Sequence, residues 1–353
     1  MGGERSSMTV NDSTDTEQPP RSDDAIRTTR FPCVDIVKAI AIGLVVYGHV
    51  QQGLIHRQWV TNDIFSLADA AIYSFHMPAF FVVAGLFVER SMRRGPQSFL
   101  LDKARTILYP WLLWGAITVA TGPLIDRFRF SGGHPGSIFD SVLWVITGDQ
   151  SWFLPTLFVT LVLAVATRGI RSDLRIAIAL ILALVLPDFG ITALDKGFRD
   201  FVFVAVGQYL AQRVTYAESV PIIQAAAASC ILIVIQIGLI LLDRMPGRAM
   251  TVVLGLSGTA MLFALARVVR ETRVGKALLW IGPASIAVFL LHPFVVGAAR
   301  YVIVHTPAHT NAAAQLIVPT MAGVILPAIL WHYRGILRIG WLFQLSRPAN
   351  ERA

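Results

Sequence analysis

Residues 34–55 read VDIVKAIAIGLVVYGHVQQGLI, an apolar run interrupted by only two formal charges, those of Asp35 and Lys38. A helix rises about 1.5 Å per residue, so a run of this length can cross the hydrocarbon core of a bilayer. Apolar runs of the same kind recur along the chain. We count ten, at residues 34–55, 65–88, 106–122, 139–167, 175–187, 198–212, 219–241, 250–267, 277–300 and 313–333. The run at 139–167 is one span after a broken entry, and the stretch from Gly148 to Pro155 is a candidate re-entrant piece.

The composition supports the same class of protein. The 353 residues are 55% hydrophobic and 15% charged, and the mean hydropathy is +0.61. Soluble domains carry about 25% charged residues, so this composition excludes an ordinary soluble enzyme. The sequence therefore predicts an all-α polytopic membrane protein with about ten transmembrane helices.

The apolar runs also divide the chain into three regions. Residues 1–30 are polar and rich in Ser, Thr, Asp and Arg, which predicts a disordered tail. Residues 31–335 form one transmembrane domain, and residues 336–353 form a C-terminal tail.

Basic residues are concentrated in alternate loops, which predicts the orientation. They are Arg90, Arg93, Arg94, Lys103 and Arg105, then Arg168, Arg171 and Arg175, then Arg267, Arg270, Arg273 and Lys276, and finally Arg334, Arg338, Arg347 and Arg352. Cytoplasmic loops carry such an excess, so we expect both termini in the cytoplasm of a multi-pass protein of the cell (plasma or inner) membrane. The same rule explains the net charge of +8 without a nucleic-acid partner.

A small set of ionisable side chains lies inside the predicted helices: Asp35, Lys38, His49, His76 and His292. Such residues are costly in a bilayer, so each is a functional hypothesis and together they predict a central polar lumen. Lys38 and His49 are eleven residues apart, close to three helical turns, so both can face that lumen about 16 Å apart.

Each of these residues also has a structural alternative. His76 and His292 each precede a proline, whose missing N–H frees a backbone carbonyl that a histidine can satisfy. Asp35 and Lys38 can form a simple ion pair one turn apart. No pair of histidines has metal-ligand spacing on one helix, and neither Cys33 nor Cys230 joins them, so we predict no metal site.

Several segments, in the order they occur, resemble the acyltransferase-3 family of integral membrane O-acyltransferases, and most closely its branch of fucose 4-O-acetylases. They are Asp35 to Ile42 (DIVKAIAI) with Tyr47-Gly48-His49, FHMPAFFVVAG at 75–85, Arg105 with Tyr109-Pro110, WFLP at 152–155, and Ile281-Gly282 and Ser285 with Leu291-His292-Pro293. This chain has Lys38 where the family often has Arg, and Ala84 where it usually has Ser.

The resemblance implies an enzyme that moves an acyl group, usually acetyl, from cytosolic acetyl-CoA or another acyl-CoA to a hydroxyl of an extracytoplasmic glycan, glycolipid or related product. On this reading residues 31–335 form the acyltransferase domain. His49 would be the base or a transient acyl carrier. Lys38 would hold the donor or stabilise charge lower in the lumen, with Asp35 orienting Lys38.

The resemblance also implies binding residues. Arg93, Arg94 and Arg105 would meet the phosphates of CoA. His76 and His292 would line the acceptor site or orient His49. Trp152 would be an aromatic platform for the sugar or the pantetheine arm, and Tyr73 would line the substrate site. The alternatives are ordinary cytoplasmic charge for the arginines other than Arg105, and an interfacial aromatic for Trp152. A rival function is a proton-coupled transporter or flippase of a sugar or lipid-linked substrate, since carriers also use buried ionisable residues.

Overall fold

The computed structural model describes residues 31–56, 63–125, 137–213, 218–242 and 247–345, together with Gly2. The chain divides at Phe31, and all the helices below belong to the unit Pro32–Ala353. Every regular element in the described ranges is a helix, and none of these residues forms a strand, which confirms the all-α class. The predicted disordered tail at 1–30 lies outside the described residues apart from Gly2, as do residues 346–353 of the predicted C-terminal tail.

Thirteen α-helices are present in the described ranges. The first seven are α1 Pro32–His56, α2 Asp63–Ser91, α3 Pro96–Lys103, α4 Tyr109–Ile125, α5 Ile138–Ile146, α6 Phe153–Ala166 and α7 Ser172–Val185. The others are α8 Thr192–Leu210, α9 Ile222–Leu242, α10 Arg248–Val269, α11 Arg273–Ile281, α12 Ser285–Val304 and α13 Ala312–Tyr333.

Six helical segments of the described chain are long and apolar enough to cross a membrane: Pro32–His56, Leu67–Arg94, Ile222–Leu242, Arg248–Val269, Arg273–Val304 and Ala312–Tyr333. The predicted multi-pass membrane protein is thus confirmed. The other four predicted segments lie on α4, α5 with α6, α7 and α8, so the count of ten spans stays a prediction. The run at 139–167 is two helices separated by residues 147–152.

Helix α1 lies at the centre of one half of the bundle, where it contacts α2, α10, α11, α12 and α13. A glycine allows its closest approach to the turn between α11 and α12. A Cβ on Gly282 would lie 2.1 Å from the backbone oxygen of Asp35, so only a residue without a side chain fits there. This contact explains why a glycine stands at position 282, in the Ile281-Gly282 pair that resembles the family.

Helices α2 and α8 cross at a pair of glycines. A Cβ on Gly85 would lie 2.3 Å from the oxygen of Val204, and a Cβ on Gly207 would lie 2.2 Å from the oxygen of Val82. Small residues let helix backbones approach in this way inside a bilayer. Gly85 of the FHMPAFFVVAG segment is therefore a packing residue.

Aromatic residues of α2, α6 and α12 form a packed cluster. The ring of Phe153 lies 5.6 Å from Phe80, 5.4 Å from Phe81 and 5.2 Å from Phe289, measured between centroids. Tilted and edge-on arrangements at these distances are favourable aromatic contacts. These phenylalanines, from FHMPAFFVVAG, from WFLP and from the turn before Leu291-His292-Pro293, thus hold α2, α6 and α12 together.

A π-helical turn, Ala104–Leu108, joins α3 to α4. The carbonyl of Arg105 would pair there with the N–H of residue 110, but Pro110 has none. Leu345 supplies the missing donor, because its N–H lies 3.1 Å from that oxygen. The residues after α13 therefore pack against this turn, and Phe343 among them is only 2% exposed.

Candidate active site

A cavity of about 420 Å³ is lined by α1, α2, α4, α5, α6, α12 and the segment between α5 and α6. This volume is typical of sites that bind small molecules. Five of the predicted site residues line it, although they come from four separate parts of the chain. They are His49, Tyr73, His76, Trp152 and His292.

His49 is the histidine most open to this cavity. Its side chain is exposed there, whereas His76 is 2% and His292 is 4% exposed. The ring of His49 lies 5.2 Å from that of His292 between centroids, at an angle of 47°. His49 therefore presents an imidazole to whatever occupies the cavity, with a second imidazole beside it.

The other two histidines are held by backbone oxygens. The Nδ1 of His76 lies at the oxygen of Ile72, and the Nδ1 of His292 lies 3.0 Å from that of Val288 and 2.8 Å from that of Phe289. A carbonyl only accepts, so Nδ1 of each neutral ring carries the hydrogen and Nε2 is left as an acceptor.

These contacts show whether each histidine satisfies the backbone carbonyl that is freed by the proline following it. Pro293 removes the N–H that would pair with the oxygen of Phe289, and His292 replaces it. Pro78 frees the oxygen of Ser74, whereas His76 contacts a different carbonyl, that of Ile72. The structural role therefore fits His292 and does not fit His76.

The segment between α5 and α6 forms one wall of the cavity and is held by side-chain hydrogen bonds. Asp149 accepts hydrogen bonds from Thr192 and, at 2.8 Å, from Thr147. Gln150 donates to the hydroxyl of Thr118 at 3.4 Å. Asp149 and Gln150 both line the cavity, so this wall presents an acid and an amide.

Trp152 follows on the same wall. The ammonium of Lys196 in α8 lies 4.4 Å from the centre of its ring, a cation–π contact. Trp111, Trp114 and Trp144 also line the cavity, so Trp152 is one of four indoles there. Such rings offer flat apolar faces together with N–H donors.

Polar residues of α1 and α2 that sequence reasoning missed lie near the histidines. Gln52 lines the cavity and donates to the carboxylate of Asp69 at 3.3 Å. Asp69 is four residues before Tyr73 and seven before His76, so all three share one face of α2. An acid inside the apolar run at 65–88 was the available signal.

Two residues that line the cavity carry a buried donor with no hydrogen-bond partner among the described residues: Tyr73, at its hydroxyl, and Trp111, at its indole nitrogen. Buried polar groups are nearly always paired, so each such exception calls for an explanation.

Asp35 and Lys38 do not line the cavity. Lys38 Nζ lies 2.7 Å from Asp35 Oδ1, which is the ion pair that their spacing allows. They nevertheless share a face of α1 with the cavity residues. Spacings of three and four residues connect Asp35, Lys38, Ile42, Val45, His49 and Gln52.

A smaller cavity of about 140 Å³ lies on this face between the ion pair and His49. Ile42 lines it, and Lys38 is one turn below Ile42. Phe153, Leu154 and Phe289 line both cavities, which are therefore neighbours. Along this face of α1 lie, in order, the Asp35–Lys38 ion pair, the apolar cavity at Ile42 and the histidine cavity.

The three predicted CoA-binding arginines do not line either cavity. Arg93 and Arg94 form an exposed turn after α2, and Arg105 lies in the π-helical turn. Lys103 beside it lies 5.5 Å from the ring of Phe99, and burial lowers the pKa of this lysine. A guanidinium, unlike a lysine amine, keeps its charge on burial.

In the described ranges, no group of three His, Cys, Asp or Glu side chains is placed to hold a metal ion.

A family model described as an acyltransferase domain, that of the acyltransferase-3 family, matches residues 31–332. The chain belongs to the acyltransferase-3 family. This confirms the family predicted from the motifs and, with it, the predicted enzyme class of acyltransferase. The match covers the helices that line both cavities.

Nodulation protein NolL of Sinorhizobium fredii (strain NBRC 101917 / NGR234) is 32% identical to this chain over 185 residues. That region is 51% of this chain and 48% of the relative, so the chain spans about half the length of this curated protein. No solved structure shows significant similarity to the chain.

Proposed function

We propose that this protein is an integral membrane O-acyltransferase that moves an acyl group, with acetyl as the first choice, from cytosolic acyl-CoA to a hydroxyl of an extracytoplasmic glycan or glycolipid. The observation that carries the proposal is the convergence of three histidines, from α1, α2 and α12, on one cavity of about 420 Å³. Family membership supplies the class of reaction.

His49 is the proposed base. A sugar hydroxyl is a weak nucleophile, and imidazole is the side chain best suited to accept its proton near neutral pH. His49 is exposed to the cavity, whereas His76 and His292 use Nδ1 on backbone oxygens. His76 and His292 line the acceptor site. The ring of His292 also lies beside that of His49 and helps to orient it.

The donor would approach along the face of α1 that begins at the Asp35–Lys38 pair. Its acyl arm would occupy the apolar cavity at Ile42, which shares three lining residues, Phe153, Leu154 and Phe289, with the histidine cavity. Arg105, with the exposed Arg93 and Arg94, supplies cationic partners for the CoA phosphates. Lys38 would act at the entrance, held by Asp35, because it lies outside the histidine cavity.

The acceptor would enter from the opposite side of the membrane, beside the segment between α5 and α6. That wall offers the carboxylate of Asp149, the amide of Gln150 and the ring of Trp152. Sugar rings combine hydroxyl groups with apolar faces, and this wall has groups for both. The proposal places both termini in the cytoplasm, as the loop charges predict.

The test uses membrane vesicles from cells that express the protein, given acetyl-CoA labelled in the acetyl group. Vesicles from cells lacking the protein are the control. We expect free CoA to be released and alkali-labile label to appear in the glycan and glycolipid fractions. Membranes with folded protein but neither product above the control would overturn the proposal, and movement of unmodified substrate would favour a transporter.

A further inference from the structure

Acyl transfer has a requirement that a base alone does not meet. When a hydroxyl attacks a thioester, negative charge develops on the carbonyl oxygen, and a fixed donor aimed at that oxygen lowers the barrier. The positive charge of Lys38 lies outside the histidine cavity, held by Asp35 at 2.7 Å. The donor must therefore be another group that lines the cavity with His49.

The hydroxyl of Tyr73 has the properties of such a donor. Tyr73 lines the cavity, and its hydroxyl oxygen is buried with no hydrogen-bond partner among the residues that the structure describes. Leaving a buried hydroxyl without a hydrogen-bond partner is costly. A substrate atom that pairs with this hydroxyl would explain why it is kept here.

The packing of Tyr73 places this hydroxyl close to the turn of α1 that carries the proposed base, His49. A Cβ on Gly48 would lie 3.0 Å from Cε2 and 3.3 Å from the hydroxyl oxygen of Tyr73, so the phenol lies against α1 next to His49. The ring also meets that of His76 edge-on, with centroids 4.9 Å apart. Trp111, the other unpaired donor, has no comparable contact with the His49 turn among the described contacts.

We propose that Tyr73 is a catalytic residue whose hydroxyl donates a hydrogen bond to the acyl oxygen during transfer, an assignment that rests on the proposed function. The acceptor oxygen forms a bond to the thioester carbon and gives its proton to His49. The carbonyl electron pair moves to the oxygen held by Tyr73. It then returns as the carbon–sulfur bond breaks, and the CoA thiolate takes the proton from His49, giving ester and free thiol.

Tyr73→Phe removes only the hydroxyl and keeps the contacts of the ring with Gly48 and His76. In the labelled acetyl-CoA assay we expect kcat to fall by about 10²–10³-fold, with KM for acetyl-CoA and the thermal stability unchanged. Tyr209→Phe is the matched control, because this tyrosine is 44% exposed and packs against Arg213. Gly48→Ala displaces the phenol by a few tenths of an ångström, so a smaller loss in kcat is expected.

Three results decide the matter. A Tyr73→Phe protein with the wild-type kcat overturns the assignment, and so does a change confined to KM, which would indicate ordinary substrate binding. An unstable Tyr73→Phe protein alongside an unimpaired Gly48→Ala protein would indicate a packing role and also overturn it. If the wild-type protein itself forms no ester, the proposed function fails instead, so the two failures are distinguishable.

Discussion

Substitution of Gly207 by Ala tests the crossing that positions α2, the helix that carries Tyr73 and His76. A Cβ at Gly207 would lie 2.2 Å from the oxygen of Val82, whereas ordinary contacts begin at 3.4 Å, so the helices must separate by 1.2 Å. Both obstacles, the Val82 oxygen and the Gly85 Cα at 2.9 Å, are backbone atoms that cannot rotate away. Overpacking of this kind costs about 1–3 kcal/mol. We expect a lower melting temperature in detergent and reduced ester formation.

Gly238→Ala is the control. Gly238 also lies within a long helix, α9, but a Cβ there would meet nothing within 4 Å. Alanine favours a helix by about 1 kcal/mol over glycine, so this variant should be at least as stable as the wild type. If Gly207→Ala melts at the same temperature as Gly238→Ala, the close crossing of α2 and α8 is wrong.

Three further predictions concern the donor, the C-terminal segment and the orientation. Arg105→Gln should lower the affinity for CoA by about 10- to 100-fold, because a charge-assisted hydrogen bond is lost. Substitution of the exposed Arg168 by Gln should leave that affinity unchanged, and equal CoA thermal-shift titrations of the two variants would contradict this. Phe343→Ala, which empties a buried position against Trp331, should destabilise the protein by about 3–5 kcal/mol, whereas Trp341→Ala, 52% exposed, should not; similar melting curves would refute the packing. A C-terminal tag should be inaccessible to impermeant labels in intact cells, and labelling from outside would reverse the predicted orientation.

Much of the fold follows from the sequence, because long apolar runs in a bilayer have few options besides helices. The ten predicted segments all fall on helices, yet the break at 147–152 is less evident from hydropathy. Polar residues such as Asp149 and Gln150 mark it, and their role becomes clear only from their contacts with Thr192 and Thr118.

The histidine cluster could be predicted because an ionisable residue inside a membrane-spanning helix is costly and therefore indicates a function. Helical spacing alone placed Lys38 and His49 on one face, and it did not reveal that Lys38 lies outside the cavity. Spacing along a helix gives direction but does not give the shape of the space beside it. The Gln52–Asp69 contact joins two helices, so no pattern within either run encodes it.

The comparison of His49→Ala with the wild-type protein in the labelled acetyl-CoA assay tests the central claim most directly. A general base contributes about 10²–10⁴-fold, so ester formation should fall by that factor while the protein stays folded and is still stabilised by CoA. His76→Ala and His292→Ala should give intermediate losses, since both rings line the cavity but hold backbone oxygens. Near-normal ester formation by His49→Ala, with His76→Ala or His292→Ala inactive, would contradict the account.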